Sequence, residues 1–382
     1  MADVEGALPI AARRDLRNSL AGTHDPFIQA IPKVELHVHI EGLITPELRW
    51  KFSQRNGMTL THPRTGSVFR TLEELQESTE DGMKPAHGGR QDNAEETLSF
   101  FESYYGGFEV LKTKQDYYDL AMYYFERAAR MNVRYAEVFF DPQGHTRTGV
   151  GWEVMMGGFG EAQREAEKRL HVKSAWIMCF LRDLPPESAM QHYLAALPYR
   201  GMIVGIGLDS NEVDRPPVLF EEVFARARAD GFRITAHCDV GKSYPLEHIH
   251  QTATAIGGTG ADRIDHGLNA ASSPETVEMI REKGIGMTVC PWSYIRHQPL
   301  DEVFKRIRTL FDAGIKMAIA SDDPAFMEDT WISENLRVVR KYCKFTDEEM
   351  VKLARDAVEM SWAPEGVKKE ILDEIDTTGY FL

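Results

Sequence analysis

The stretch RIDHGLNAASSPETVEMIREKGIGMTVC, residues 263–290, carries two short apolar runs, 263–266 and 285–290, on either side of an amphipathic segment, 274–283. Runs of this length bounded by turn residues read as buried strands, and the segment between them reads as a helix. Gly284 directly follows the amphipathic segment, where a helix closes through left-handed backbone. Strand, helix and strand in that order build a parallel unit, because parallel neighbours need a long crossover.

The same unit recurs along the chain. Strands are predicted at 33–39, 134–140, 173–180, 202–207, 233–237, 263–266, 285–290 and 316–321. Helices fit between them at 114–131, 153–170, 186–197, 217–229, 246–255, 274–283 and 300–312, with Gly231 and Gly314 as further stops. Eight such units predict a (β/α)8 TIM barrel, with residues 1–382 forming a single domain. One connection is much longer than the others. The insertion, about residues 45–115, contains helix-like segments at 69–77 and 95–111. Between them, residues 81–93 are rich in glycine, polar and charged residues and read as a mobile loop. An insertion on the βα side of a barrel stands over its mouth, as a lid that moves or a bracket that does not. Residues 346–360 and 364–375 read as helices closing the outside.

Composition narrows the function. The 44 basic and 59 acidic residues leave a formal charge of −15, which disfavours nucleic acid and anionic membrane surfaces as partners. The N-terminal residues are charged throughout and no run approaches a membrane span, so neither a signal peptide nor a transmembrane segment is expected and the cytoplasm is the default location. Cys179, Cys238, Cys290 and Cys343 are far apart, form no CxxC pair, and read as free buried thiols. The oligomeric state is not legible.

Chemistry-bearing residues collect at the ends of the predicted strands. His37 and His39, two apart on a strand, face the same side and can grip one metal ion. His237 ends the fifth strand and Asp322 follows the eighth. Three imidazoles and one carboxylate suit zinc with a position left open, which lowers the pKa of a bound water to near neutrality. Taken singly, His237 also reads as a satisfied core histidine and Asp322 as a helix cap. His266, ending the sixth strand, can orient the attacking water and accept its proton. Asp323, beside the ligand Asp322, is placed to hydrogen-bond a ring nitrogen of a heterocyclic substrate.

The segments Lys33-Val-Glu-Leu-His-Val-His-Ile-Glu-Gly42, Asp265-His-Gly267, Thr288-Val-Cys-Pro-Trp-Ser293 and Ser321-Asp-Asp-Pro324 resemble, in order and spacing, the adenosine/adenine deaminase family. Phe139-Phe-Asp-Pro-Gln-Gly-His-Thr146 and Gly207-Leu-Asp-Ser-Asn-Glu212 look more like its adenine deaminase branch. The resemblance implies a zinc barrel, one ion per chain, that hydrolytically replaces an exocyclic amine on a small-molecule purine. It implies His37, His39, His237 and Asp322 as zinc ligands, His266 as the water-orienting histidine, and Asp323 as the group that contacts N7. Gly207, Ser210 and Glu41 fall in substrate-binding stretches. Ser210 stands where the nucleoside branch has glycine, and Glu41 where it has a sugar-binding aspartate.

The chain departs from the family after His237. The family pattern His-Ala-Gly-Glu ends in a proton donor to the purine, whereas this chain reads His237-Cys238-Asp239-Val240-Gly241. With one residue removed from the turn, Asp239 takes the donor's place; without a gap, Val240 does, and it cannot transfer a proton. The reading is a zinc-dependent deaminase of adenine or an N6-substituted adenine, with Asp239 as the acid. The alternatives are a zinc hydrolase of another 6-substituted purine, nucleoside or related heterocycle, and a purine-binding descendant without catalysis.

Overall fold

A computed structural model of the chain describes residues 6–82, 100–239 and 246–379. Eight parallel strands follow one another in chain order: β1 Lys33–His39, β2 Val133–Phe140, β3 Lys173–Leu181, β4 Ile203–Asp209, β5 Arg233–Cys238, β6 Arg263–His266, β7 Gly286–Val289 and β8 Met317–Ile319. The predicted strands all form, and β1 and β6 have the predicted bounds. Helices alternate with them on the outside, completing the (β/α)8 barrel. Nearly every strand residue is buried, as expected where helices cover one face of a parallel sheet and side chains fill the other. Gly231 and Gly284 adopt φ values of 88° and 66°, so each ends its helix as the sequence predicts.

The barrel closes at its most functional point. Asp322 N–H donates to His37 O (3.1 Å) and His39 N–H donates to Asp322 O (3.1 Å), joining the first strand to the residues after the last. The register of β1 against β2 shifts between Glu35 and Val38. Such an irregularity re-aims side chains beside a site, and His37 lies inside it.

Three helices occupy the described part of the insertion: Pro46–Arg55, Leu72–Gly82 and Phe100–Phe108. The helix expected at 69–77 therefore begins later and continues through Asp81 and Gly82. The remainder of the predicted 81–93 loop lies outside the described residues. Among the described helices that the sequence reading did not include are Ile10–Gly22, Pro46–Arg55 and Ile332–Cys343, together with the short Pro26–Ala30, Pro142–Thr146 and Pro291–Ile295. The C-terminal helices Asp347–Met360 and Glu365–Gly379 pack with Val34, Leu36 and Tyr135. The four cysteines are free and buried. No helix among the described residues is long and apolar enough to cross a membrane.

Lys33 opens β1 in a buried position, with Nζ donating to Ile28 O (2.5 Å) and Ile31 O (3.0 Å). Burial, reinforced by the charges of Arg337 and Arg134, lowers its pKa from 10.5 to about 7. Because the folded value is the lower one, the unfolded chain binds more protons between these limits, and this group's contribution to stability rises with pH across them. Urea unfolding should show the parent gaining stability relative to Lys33→Met between about pH 7 and about pH 10. A pH-independent difference would contradict this.

Candidate active site

The imidazoles of β1 and β5 meet inside the mouth of the barrel. His39 Nε2 lies 3.0 Å from His237 Nε2, and the His37 ring centroid is 5.3 Å from that of His39 and 4.6 Å from that of His237. Asp322 Oδ1 lies 3.4 Å from His37 Nε2 and 3.7 Å from His39 Nε2. All four residues are buried.

Surrounding groups set which ring nitrogen of each histidine carries its lone pair. Thr288 Oγ1 donates to Asp265 Oδ1 (2.8 Å), so it accepts from His37 Nδ1 (2.8 Å) and leaves the His37 lone pair on Nε2. That Nε2 is buried without a hydrogen-bond partner. His237 Nδ1 faces Asp265 Oδ2 at 3.8 Å and His39 Nδ1 faces Asp209 Oδ2 at 3.5 Å. Carboxylates behind Nδ1 direct the lone pairs of these rings to Nε2 as well, the usual outer arrangement around ligating histidines. Two lone pairs 3.0 Å apart repel unless a cation stands between them. The donor set therefore fits a metal ion, and the donor atoms of His37, His39 and His237 lie within 4.8 Å of one another.

Burial lowers the pKa of His39 to about 3, and the charge of His37 adds to the effect. Burial would raise the Asp322 carboxyl, but the His37 ring 3.4 Å away, followed by the His266 and His39 rings, holds it well below the usual range. Burial likewise lowers His237 well below its ordinary value, so the His39 and His237 rings are neutral beside the Asp322 anion, as metal binding requires.

His266 lies at the edge of this set. Its Nε2 is 3.9 Å from Asp322 Oδ2 and its Nδ1 is 3.1 Å from Tyr294 Oη. Burial lowers its pKa to about 4, leaving a neutral ring able to accept a proton. Asp323 is buried with Oδ1 unpartnered. Gly42 packs so closely that a Cβ there would overlap the Asp323 carboxylate and stand 2.8 Å from its Cα. The glycine of the β1 motif is thus required by a residue that follows β8.

The remaining expected residues are placed unequally. Glu41 Oε1 accepts from His145 Nε2 (2.7 Å) and Asp141 N–H (2.9 Å), while its Oε2 is buried without a partner. Ser210 Oγ lies 2.5 Å from Tyr105 Oη and donates to Asp183 Oδ1 (2.9 Å), tying the insertion helix Phe100–Phe108 to the ends of β3 and β4. Gly207 has a steric role, since a Cβ would stand 2.5 Å from Cys179 Sγ inside the barrel. Asp239 has φ 57°, the backbone region glycine favours, and its Oδ2 accepts from Asn269 N–H (2.5 Å). Its own N–H donates to Glu212 Oε1 (3.1 Å). Burial raises the Asp239 carboxyl well above the usual range. Val240 and Gly241 lie outside the described residues.

Several members of the site escaped the sequence reading. Asp209 and Asp141 converge on His39, with one polar atom of each of the three within 4.8 Å of the others, and Tyr104 Oη donates to Asp141 Oδ2 (3.1 Å), so the group runs from the insertion helix to His39. Glu212 forms a buried pair with His248 Nδ1 at 2.5 Å. Position offers a signal for Asp141 and Asp209, because each stands at the C-terminal end of a strand.

Comparison with known proteins agrees with this geometry. Residues 32–378 match the adenosine deaminase family. An adenine deaminase of Rhodospirillum rubrum is 37% identical over 91% of this chain and 97% of its own length. The crystal structure of an adenine deaminase from Arthrobacter aurescens superposes with a TM-score of 0.80 at 32% identity, covering 91% of this chain and 99% of that one. An amidohydrolase from Burkholderia ambifaria with bound zinc gives a TM-score of 0.79 at 25% identity, covering 99% and 97%. Barrel, strand-end histidines and whole-length similarity lead to one assignment: this chain belongs to the adenosine deaminase family and is a hydrolytic deaminase acting on C–N bonds.

Proposed function

We propose that the chain is a zinc-dependent deaminase of a free purine base, adenine or an N6-substituted adenine, that releases ammonia or an amine. The observation that carries this is the buried convergence of the three histidine Nε2 atoms and Asp322 Oδ1. The similar proteins from R. rubrum and A. aurescens are named adenine deaminases, and the B. ambifaria structure contains zinc. Three nitrogens and one carboxylate oxygen form a set that zinc accepts with a position left open. One such ion would supply Lewis-acid activation of a water at neutral pH.

The chain's own groups then do the positioning and proton transfer. His266, beside Asp322 and neutral, orients the attacking water towards C6 and takes its proton. Asp323 holds the heterocycle through N7, and Asp239 gives a proton to N1 as the new C–O bond forms. Glu41 and Ser210 line the site and Gly207 keeps its wall open. As the adduct collapses, the proton held by His266 passes to the exocyclic nitrogen, the C6 hydroxyl becomes the carbonyl by returning a proton to the Asp239 carboxylate, and the bond from C6 to the exocyclic nitrogen breaks to release ammonia or the amine. Adenine yields hypoxanthine.

Asp239→Asn separates a proton donor from a mere turn cap, since the amide oxygen still accepts from Asn269 N–H but the side chain carries no acidic proton. Steady-state assays of zinc-replete protein, following ammonia and purine product, should show kcat reduced on the order of 10²- to 10³-fold with metal content unchanged. Full turnover by this variant would remove Asp239 from the mechanism. A zinc-replete parent that turns over no aminopurine would remove the substrate assignment.

A further inference from the structure

The helix Ile10–Gly22 precedes the residues that match the family, yet two of its arginines reach the loop that follows β8. Arg13 is fully buried, and its Nε (3.1 Å) and Nη2 (2.8 Å) both donate to Glu328 Oε1. The other Glu328 oxygen accepts from Trp292 Nε1 at 2.6 Å. Arg17 donates from Nε (3.3 Å) and Nη2 (3.1 Å) to the carbonyl of Asp329, and from Nη2 to its carboxylate at 2.5 Å. Trp331 Nε1 also donates to Asp329 Oδ1 (2.7 Å).

Glu328 and Asp329 both have left-handed backbone, with φ 51° and 55°. Consecutive residues with side chains hold this conformation only where their surroundings over-determine it, and here the N-terminal arginines supply the grip. The turn is coupled to the site by a short path. Asp329 N–H donates to Pro324 O (3.0 Å), and Phe326 N–H donates to Asp323 O (2.9 Å). Phe326 in turn packs against Tyr104 and Phe108 of the insertion helix. A shift at residues 328–329 therefore moves the residue next to Asp323.

We propose that Arg13 and Arg17 are positioning residues for the deaminase site: by pinning the turn at Glu328 and Asp329 they set where Asp323 and Phe326 stand. This rests on the reading of Asp323 as the group that holds the heterocycle.

Two variants test it against the parent. Arg17→Gln alters a partly exposed side chain. Arg13→Gln combined with Glu328→Gln removes both buried charges together, so neither is left unpaired. In both, metal content should stay at the parent level, KM for adenine should rise about tenfold with kcat falling less, and Arg17→Lys should restore most of the loss at its site. Hydrogen exchange, read by mass spectrometry, should quicken in peptides spanning 321–331 and stay unchanged in β2 and β3. Parent-like KM in both variants overturns the proposal, whether or not exchange quickens, because a stability role alone leaves KM in place. If the parent turns over no aminopurine, the reading of the reaction fails by itself. Exchange at 321–331 then decides the clamp, and an unchanged rate overturns it.

Discussion

Asp322→Asn should abolish stoichiometric metal binding and lower kcat/KM by about 10⁴-fold or more, because a water that no metal activates keeps its proton far above neutral pH. Among the four converging donors Asp322 supplies the only anion, so the amide loses the charge that offsets a divalent ion while keeping the side-chain shape. The fold should survive. Asp322 closes the barrel through its backbone N–H and carbonyl, which the substitution leaves in place. Its φ of 64° is also one that asparagine adopts readily. Metal analysis and circular dichroism on the purified variant check both halves. A variant that retains one ion and parent activity would show that the three histidines suffice.

The largest loss of stability is expected at the ion pair between β6 and β2. Arg263 Nη1 donates to Glu137 Oε2 at 2.6 Å, and neither side chain is more than 1% exposed. The guanidinium also lies over the Trp362 ring, 4.2 Å from its centroid, and Nη2 donates to Leu36 O (3.3 Å). Arg263→Met leaves Glu137 buried with the Trp362 N–H still donating to it but without its cation. Removing one partner of such a pair costs about 3–5 kcal/mol. Replacing both by apolar residues avoids the orphaned charge, so Arg263→Met with Glu137→Met should recover most of the loss. Urea unfolding of the two variants checks the order. Equal destabilisation of single and double variants would mean that packing on Trp362, and not charge, dominates.

Much of this architecture is legible in the chain because two strong local signals coincide. Short β-branched runs end in His39, His237 and His266, and glycine stops such as Gly231 and Gly284 separate helix from strand. The helix Ile10–Gly22 is less visible because it buries only Arg13 and Leu20, and a buried arginine looks on paper like a solvated face. The same reason hides Asp141, Asp209 and Glu212. Carboxylates at or beyond strand ends read as surface charges until the fold shows them packed on Tyr104, one another and His248. The Asp239 turn was ambiguous for a different reason. Sequence offers two alignments there, and the left-handed backbone at Asp239 sets this residue in a conformation that glycine favours, with its carboxyl turned to Asn269.

The seam between the first strand and the residues after β8 runs through His37, His39 and Asp322 themselves. On the proposed ligand set, completing the circle of strands and assembling the cage are a single event, because a partly folded chain with β8 undocked lacks Asp322 beside the histidines. A captured ion would act as a rivet across the two ends of the sheet, bridging a very long stretch of intervening polypeptide, and would thereby tie the integrity of the whole ring to the occupancy of one small cage.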